Sequence, residues 1–215
     1  MTTRIDILEP ISDWWGINSA DVVSEIKDVA ADDPIHVVLN CPGGDLFGAV
    51  SIRNALHSHP ANLSIEVIGL AASGGSLIMS IEHAHVTMRA GTWAMIHDPL
   101  TFAVGNAADM RETADLLDRL AVDMAAMYAR RMTGHTRAEV RDLMAAETWY
   151  SADEALECGL CNETDDTEDA SVDALSPQTL RLLASYGKTP KLEDPAPPRE
   201  PDLSDLLSDL QHLST

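Results

Sequence analysis

A serine at position 73 sits in the run Gly69-Leu70-Ala71-Ala72-Ser73-Gly74-Gly75-Ser76. Strand-like apolar residues lead into it, and a short apolar helix leads out. A side chain at such a junction meets unpaired backbone N–H groups and the positive end of the helix macrodipole. That is where acyl transfer wants its tetrahedral oxyanion. The small residues around Ser73 let a substrate backbone approach closely. Taken alone, an N-cap serine in a tight turn is the simpler reading of this segment.

Two further segments change the balance. Met95-Ile96-His97-Asp98-Pro99 sets a histidine just past a hydrophobic strand, at a strand end from which catalytic side chains often project. A lone histidine there is also compatible with a satisfied core residue. Asn40-Cys41-Pro42-Gly43-Gly44 closes another strand with paired glycines, which allow a backbone N–H to turn toward a ligand. A serine nucleophile, a histidine base and backbone donors are the parts of a hydrolase that works through an acyl-enzyme.

The elements that must position these residues are readable from periodicity and turn signals. Strands are expected at about Arg4 to Leu8, Ile35 to Leu39, Leu63 to Gly69, Ala84 to Met88 and Trp93 to Ile96. Helices are expected over Leu46 to Ser58, Gly74 to Ile81, Arg137 to Ala146 and Ala152 to Cys158. Asn106 is the expected N-cap of a long helix reaching about Met132, with Met110, Ala114, Leu117, Leu120, Met124 and Met127 facing inward and Gly134 just beyond its end. Strands alternating with helices predict an α/β fold with a largely parallel sheet.

Taken together the three segments resemble the Clp protease proteolytic subunit family. Its nucleophile motif G-x-A-A-S is matched by Gly69, Ala71, Ala72 and Ser73, and its M-I-H-x-P motif by Met95, Ile96, His97 and Pro99. Its N-S-P-G-G turn appears as Asn40, Cys41, Pro42, Gly43 and Gly44, with Cys41 in place of Ser. The likeness continues through Ser151-Ala152-Asp153-Glu154-Ala155 and Gly159-Leu160, over roughly residues 3 to 163. Ile11-Ser12-Asp13-Trp14-Trp15-Gly16, Glu147-Thr148-Trp149 and Gly105-Asn106-Ala107 look like the phage and prophage branch, which is associated with head maturation.

The resemblance implies an α/β fold of stacked ββα units, shared with the crotonases, with a long handle helix. It implies Ser73 as nucleophile, His97 as general base, and the backbone N–H groups of Gly44 and Gly74 as the oxyanion hole. Where the family places its triad aspartate this chain has Glu147, and Asp142 is the nearby alternative. No cofactor or metal is expected. The resemblance further implies protein or peptide substrates and a homo-oligomeric ring, a heptamer or a double heptamer. Contact with an AAA+ unfoldase is left open, because the first strand begins almost at once. Capsid or scaffold proteins are the expected partners in the phage branch. Three other readings remain: a housekeeping ATP-dependent subunit, a crotonase-type acyl-CoA binder that needs no Ser/His pair, and a catalytically silent ring subunit or capsid scaffold.

Other reactive residues have plainer roles. Ser76 lies one turn into its helix, where a hydroxyl bonds a backbone carbonyl. Cys41 reads as a small buried filler. Cys158 and Cys161 have C-x-x-C spacing, a redox or half-zinc pattern, but no second Cys/His pair accompanies them.

Composition narrows the setting. With 35 acidic against 14 basic residues the net charge is −21, a surface that repels nucleic acid and anionic membranes. The opening MTTRIDILEP has neither a basic start nor an apolar run, and three cysteines make no disulfide framework, so a cytoplasmic setting is expected. The chain divides into a peptidase-like domain, 1–163, and an acidic, Pro-rich tail, 164–215. From Cys161 onward 12 acidic residues and 6 of the 11 prolines accompany one aromatic, Tyr186, a composition too poor in apolar surface to offset its ordering entropy. The tail is therefore expected to be mostly disordered, with short helices at about 176–186 and 202–213.

Overall fold

The computed structural model of the chain describes residues 1–165. In order they form β1 (Thr3–Ile7), α1 (Ser19–Asp28), β2 (Ile35–Cys41), α2 (Leu46–Ser58), β3 (Leu63–Ala72), α3 (Gly74–Met79), β4 (His85–Arg89), β5 (Trp93–Ile96), α4 (Ala107–Arg131), α5 (Arg137–Ala145), β6 (Thr148–Ser151), α6 (Ala152–Glu157) and β7 (Glu163–Asp165). The two helices expected at 176–186 and 202–213, and the disorder expected around them, lie outside the described residues.

One sheet carries all seven strands. Its main path is β1-β2-β3-β4-β7, parallel throughout. The long strand β3 is where it branches. Ser64 to Val67 pair with β4, and Leu70 to Ala72 pair with β5, also in parallel. β6 then runs antiparallel to β5. The expected α/β architecture with a mostly parallel sheet is the one observed. β3 runs three residues past the expected Gly69, because Trp93 to Met95 of β5 supply a second set of backbone partners.

The helices start where side chains satisfy their first N–H groups. Asn106 and Asp109 form a capping box at α4, as do Thr136 and Glu139 at α5, and Ser151 and Glu154 at α6. The Asp45 carboxylate accepts from Gly48 N at 2.6 Å and starts α2. α3 stops at Met79, short of the expected Ile81. Ser80 N bonds to both Ser76 O and Leu77 O, and its hydroxyl donates to Leu77 O, which tightens and ends the last turn.

The core is aliphatic, as the low aromatic content requires. Ile5, Ile7, Val37, Leu39, Ile65, Val67, Val86 and Met88 from the sheet pack with Ile52, Leu77 and Met124 from the helices. Each such buried side chain contributes about 1.5–3 kcal/mol. On α4 the buried positions are Ala121, Met124, Ala125, Tyr128 and Arg131, all in its second half. The first half projects beyond the sheet. There Met110, Leu117 and Leu120 are half-buried, whereas Ala114, expected inside, is exposed. Arg131 anchors the far end of the helix, donating to Leu160 O, Ile81 O, Ala84 O and Asn162 Oδ1.

Candidate active site

The carboxyl ends of β3 and β5 and the turn after β2 converge on one place. β3 delivers Ser73 to the N-terminus of α3 with φ 53° and ψ −120°, a conformation that costs a non-glycine residue roughly 1–3 kcal/mol. The turn withholds the side chain from capping duty: Ser73 Oγ makes no cap hydrogen bond. Instead it lies 2.8 Å from His97 Nε2. The N-cap reading of this serine holds for its position, not for its hydroxyl.

A buried network keeps the strained turn in place. Ser73 N donates to Met95 O at 3.0 Å. Ser76 Oγ lies 2.8 Å from Ser73 O and 2.6 Å from Met95 O, and 2.8 Å from the Tyr128 hydroxyl. Tyr128 also donates to Ser73 O at 3.3 Å. Burial holds the Tyr128 phenol well above its ordinary range, so it stays protonated and able to donate. Ser76 thus bonds backbone carbonyls as its helical position suggested. Tyr128, 55 residues from Ser73, was not legible as part of this site.

His97 is buried at the end of β5, only 7% exposed. Burial pushes its imidazolium below the ordinary histidine range, and the charges of Glu147 and then Asp98 pull it part of the way back. Glu147 occupies the single residue between α5 and β6 that has a left-handed backbone, φ 52°. Its Oε1 accepts from Trp149 Nε1 at 3.4 Å. Asp98 turns toward Arg141 of α5, with which it forms an ion pair, and Arg141 also reaches Asp118 of α4 at 3.6 Å. Asp142 is exposed on α5, and its charge acts on Arg141 rather than on His97. Of the two acids the sequence offers, Glu147 is the one whose charge acts on the histidine.

Gly44 and Gly74 flank the serine. Gly74 is the first residue of α3, where the backbone N–H has no intrahelical acceptor. Gly44 has φ +133°, and a Cβ there would lie 2.2 Å from Ile11 O. A Cβ on neighbouring Gly43 would lie 2.6 Å from Ser73 Cβ, so only glycine lets the turn touch the serine. Beside these residues opens a cleft of about 290 Å³. Gly44, Ser73, Gly74 and His97 form its floor, and Leu117, Leu120 and Met124 of α4 form an apolar wall.

The cysteines stand apart from this chemistry. Burial raises the Cys41 thiol to about 12 and the Cys161 thiol to about 11, and raises Cys158 as well, so none is a ready thiolate. All three are free and buried. Among the described residues no cluster of His, Cys, Asp or Glu is arranged to hold a metal ion.

Comparison with known proteins identifies the family of the chain. The family described as Clp protease matches residues 7–167. ATP-dependent Clp protease proteolytic subunit 3 of Rhodococcus jostii is 29% identical over 141 residues, covering 64% of this chain and 69% of that protein. Proteolytic subunit 2 of Corynebacterium efficiens is 28% identical over 149 residues, covering 64% and 70%. The chloroplastic proteolytic subunit 6 of Arabidopsis thaliana is 29% identical over 151 residues, covering 68% of this chain and 55% of its own length.

Proposed function

Because this chain belongs to the Clp protease family, we propose that it is a serine endopeptidase with Ser73 as nucleophile, His97 as general base and Glu147 as the acid. The observation that carries the reading is the 2.8 Å approach of Ser73 Oγ to His97 Nε2 from a strained turn that frees the hydroxyl. Ser73 attacks the scissile carbonyl while His97 Nε2 takes its proton. The carbonyl oxygen, now an oxyanion, accepts from the N–H groups of Gly44 and Gly74. Collapse of the tetrahedral intermediate breaks the C–N bond, and His97 returns the proton to the leaving amine. Water then attacks the acyl-enzyme by the same steps and restores Ser73. Glu147 stabilises the imidazolium formed in each half-reaction. The apolar wall of Leu117, Leu120 and Met124 suits a substrate with an apolar side chain next to the scissile bond.

We further propose a homo-oligomeric ring, seven subunits or two such rings, enclosing the sites in a chamber in the cytoplasm. Exposed Leu100, Phe102 and Val104 before α4, and the projecting first half of α4, support assembly through this region. The physiological role we favour is capsid maturation in a phage or prophage, cleaving capsid or scaffold proteins in the cytoplasm of the bacterial host. Support comes from the segments around Trp14-Trp15 and Glu147-Thr148-Trp149. A second reading, a housekeeping subunit fed by an AAA+ unfoldase, is favoured by the names of the relatives, which are ATP-dependent Clp subunits.

A fluorophosphonate probe located by mass spectrometry tests the enzyme itself. Labelling at Ser73 that Ser73→Ala and His97→Ala both abolish is the expected result. An assembled oligomer that takes up no label points to a silent ring subunit or scaffold. Casein degradation stimulated by a purified unfoldase and ATP favours the housekeeping role; cleavage of co-expressed scaffold protein without it favours the capsid role.

A further inference from the structure

We infer that Ile11 is the positioning residue of the oxyanion hole, setting the direction of the Gly44 N–H through its own main chain. The inference rests on the reading of Gly44 as an oxyanion donor. Ile11 lies in the connection between β1 and α1, at 1% exposure, and pairs with the turn after β2 in an isolated bridge, Ile11↔Gly44. Ile11 N donates to Gly43 O at 2.8 Å, and Ile11 O accepts from Asp45 N at 2.8 Å.

Those two bonds hold the two peptide groups on either side of Gly44. A trans peptide is planar, with its C=O and the following N–H pointing in opposite directions. The Gly43 carbonyl and the Gly44 N–H belong to one such plane. Pinning Gly43 O to Ile11 therefore turns the Gly44 N–H away from Ile11. The bond also polarises that peptide, which makes its N–H a better donor. Gly44 itself, at φ +133°, has backbone freedom that no side chain restrains, so an outside anchor is needed to fix the plane.

The side chain of Ile11 reaches the second donor as well. A Cβ built on Gly74 would lie 3.5 Å from Ile11 Cδ1, and one on Gly48 would lie 3.0 Å from Ile11 Cγ2. The same residue thus meets Gly44 through its main chain and Gly74 through its side chain. Its place in the chain is held by a closed turn, in which Ser12 N donates to Ile17 O and Ile17 N donates to Pro10 O.

The test replaces Ile11 by its α-hydroxy acid analogue, which exchanges the backbone N–H for an ester oxygen and keeps the side chain. The control is the same exchange at Ile35, whose N–H donates to Asn62 O at 2.9 Å, a bond remote from Gly44. Both full-length proteins are assayed on a short peptide and with a matching peptide aldehyde that forms a tetrahedral adduct on Ser73. The expected result at Ile11 is a fall in kcat of about tenfold or more with KM within about twofold, and aldehyde binding weakened by the same factor. Ile11→Ala lowers kcat and Ile11→Val restores it. Equal effects of the Ile11 and Ile35 esters, or a change confined to KM, overturn the inference while leaving the peptidase reading standing. A wild-type protein that takes no fluorophosphonate at Ser73 overturns the peptidase reading and this inference together.

Discussion

The charge of Glu147 acts on the His97 imidazole and raises its pKa against the effect of burial. The antiparallel β5–β6 pair, in register Trp93↔Ser151, Ala94↔Tyr150, Met95↔Trp149 and Ile96↔Thr148, ends one residue short of each. The link is made by sheet pairing, since the two residues are 50 positions apart in the chain.

Glu147→Gln removes the charge that raises the His97 pKa. The acid limb of kcat/KM is then expected to move to lower pH, while kcat falls about 10²–10⁴-fold because the imidazolium loses its partner. A pH–rate profile on a peptide substrate reads both effects. An unchanged limb and unchanged kcat exclude Glu147 as the acid.

In the wild type, burial is the largest influence on His97 and lowers its pKa below the ordinary histidine value of 6.5. The base is neutral when active, so the acid limb of kcat/KM lies below that value. Stability follows the same sign. Between the folded pKa and 6.5 the unfolded chain binds a proton that the folded chain refuses, so stability falls as pH falls through this window. Urea midpoints measured from pH 7 downward, wild type against His97→Gln, isolate the contribution, which the variant lacks.

Ser73→Ala and His97→Ala are each expected to reduce peptide turnover by at least about 10³-fold, and the double variant to be little worse than either, because the two act as one unit. Additive losses in a steady-state assay argue against a Ser–His pair.

Tyr128→Phe removes the hydroxyl shared by Ser76 Oγ and Ser73 O. Two buried hydrogen bonds are lost while Ser76 keeps its carbonyl acceptors. The expected cost is about 1–2 kcal/mol, seen as a lower Tm in calorimetry with the fold retained. A larger loss of activity than of stability assigns Tyr128 a further part in holding the Ser73 turn.

Truncation after residue 167 is expected to leave Ser73 labelling intact, because Ser73, His97 and the hydrogen bonds beneath them are positioned by elements within the described residues 1–165. Lost labelling in a truncated chain that stays folded and assembled assigns the acidic tail a direct part in the site.

Much of the local structure was legible because its causes are local. Asn106 with Asp109, and Ser151 with Glu154, start helices by bonding backbone groups three residues away. The small residues around Ser73 and the strand before His97 marked both as candidates from their immediate neighbours. α1 is not legible in the sequence, because only Val22 and Ile26 of its ten residues are buried, too few to write a periodic pattern. The exposure of Ala114 is not legible either, because the helical repeat identifies a face without showing how far the body beneath it extends.

By itself, then, the sequence determined the alternation of strands and helices, the acidic surface, and the identity of Ser73 and His97 as a candidate pair. The tertiary structure decided that their side chains meet at 2.8 Å, that the charge of Glu147 acts on the histidine while that of Asp142 acts on Arg141, that Tyr128 donates to Ser73 O, and that Ile11 bonds the turn after β2. The physical reason is range. Caps, turns and periodicity are settled within a few residues of chain, whereas these contacts depend on which strands pair, in what register, and on how β3 divides its length between β4 and β5.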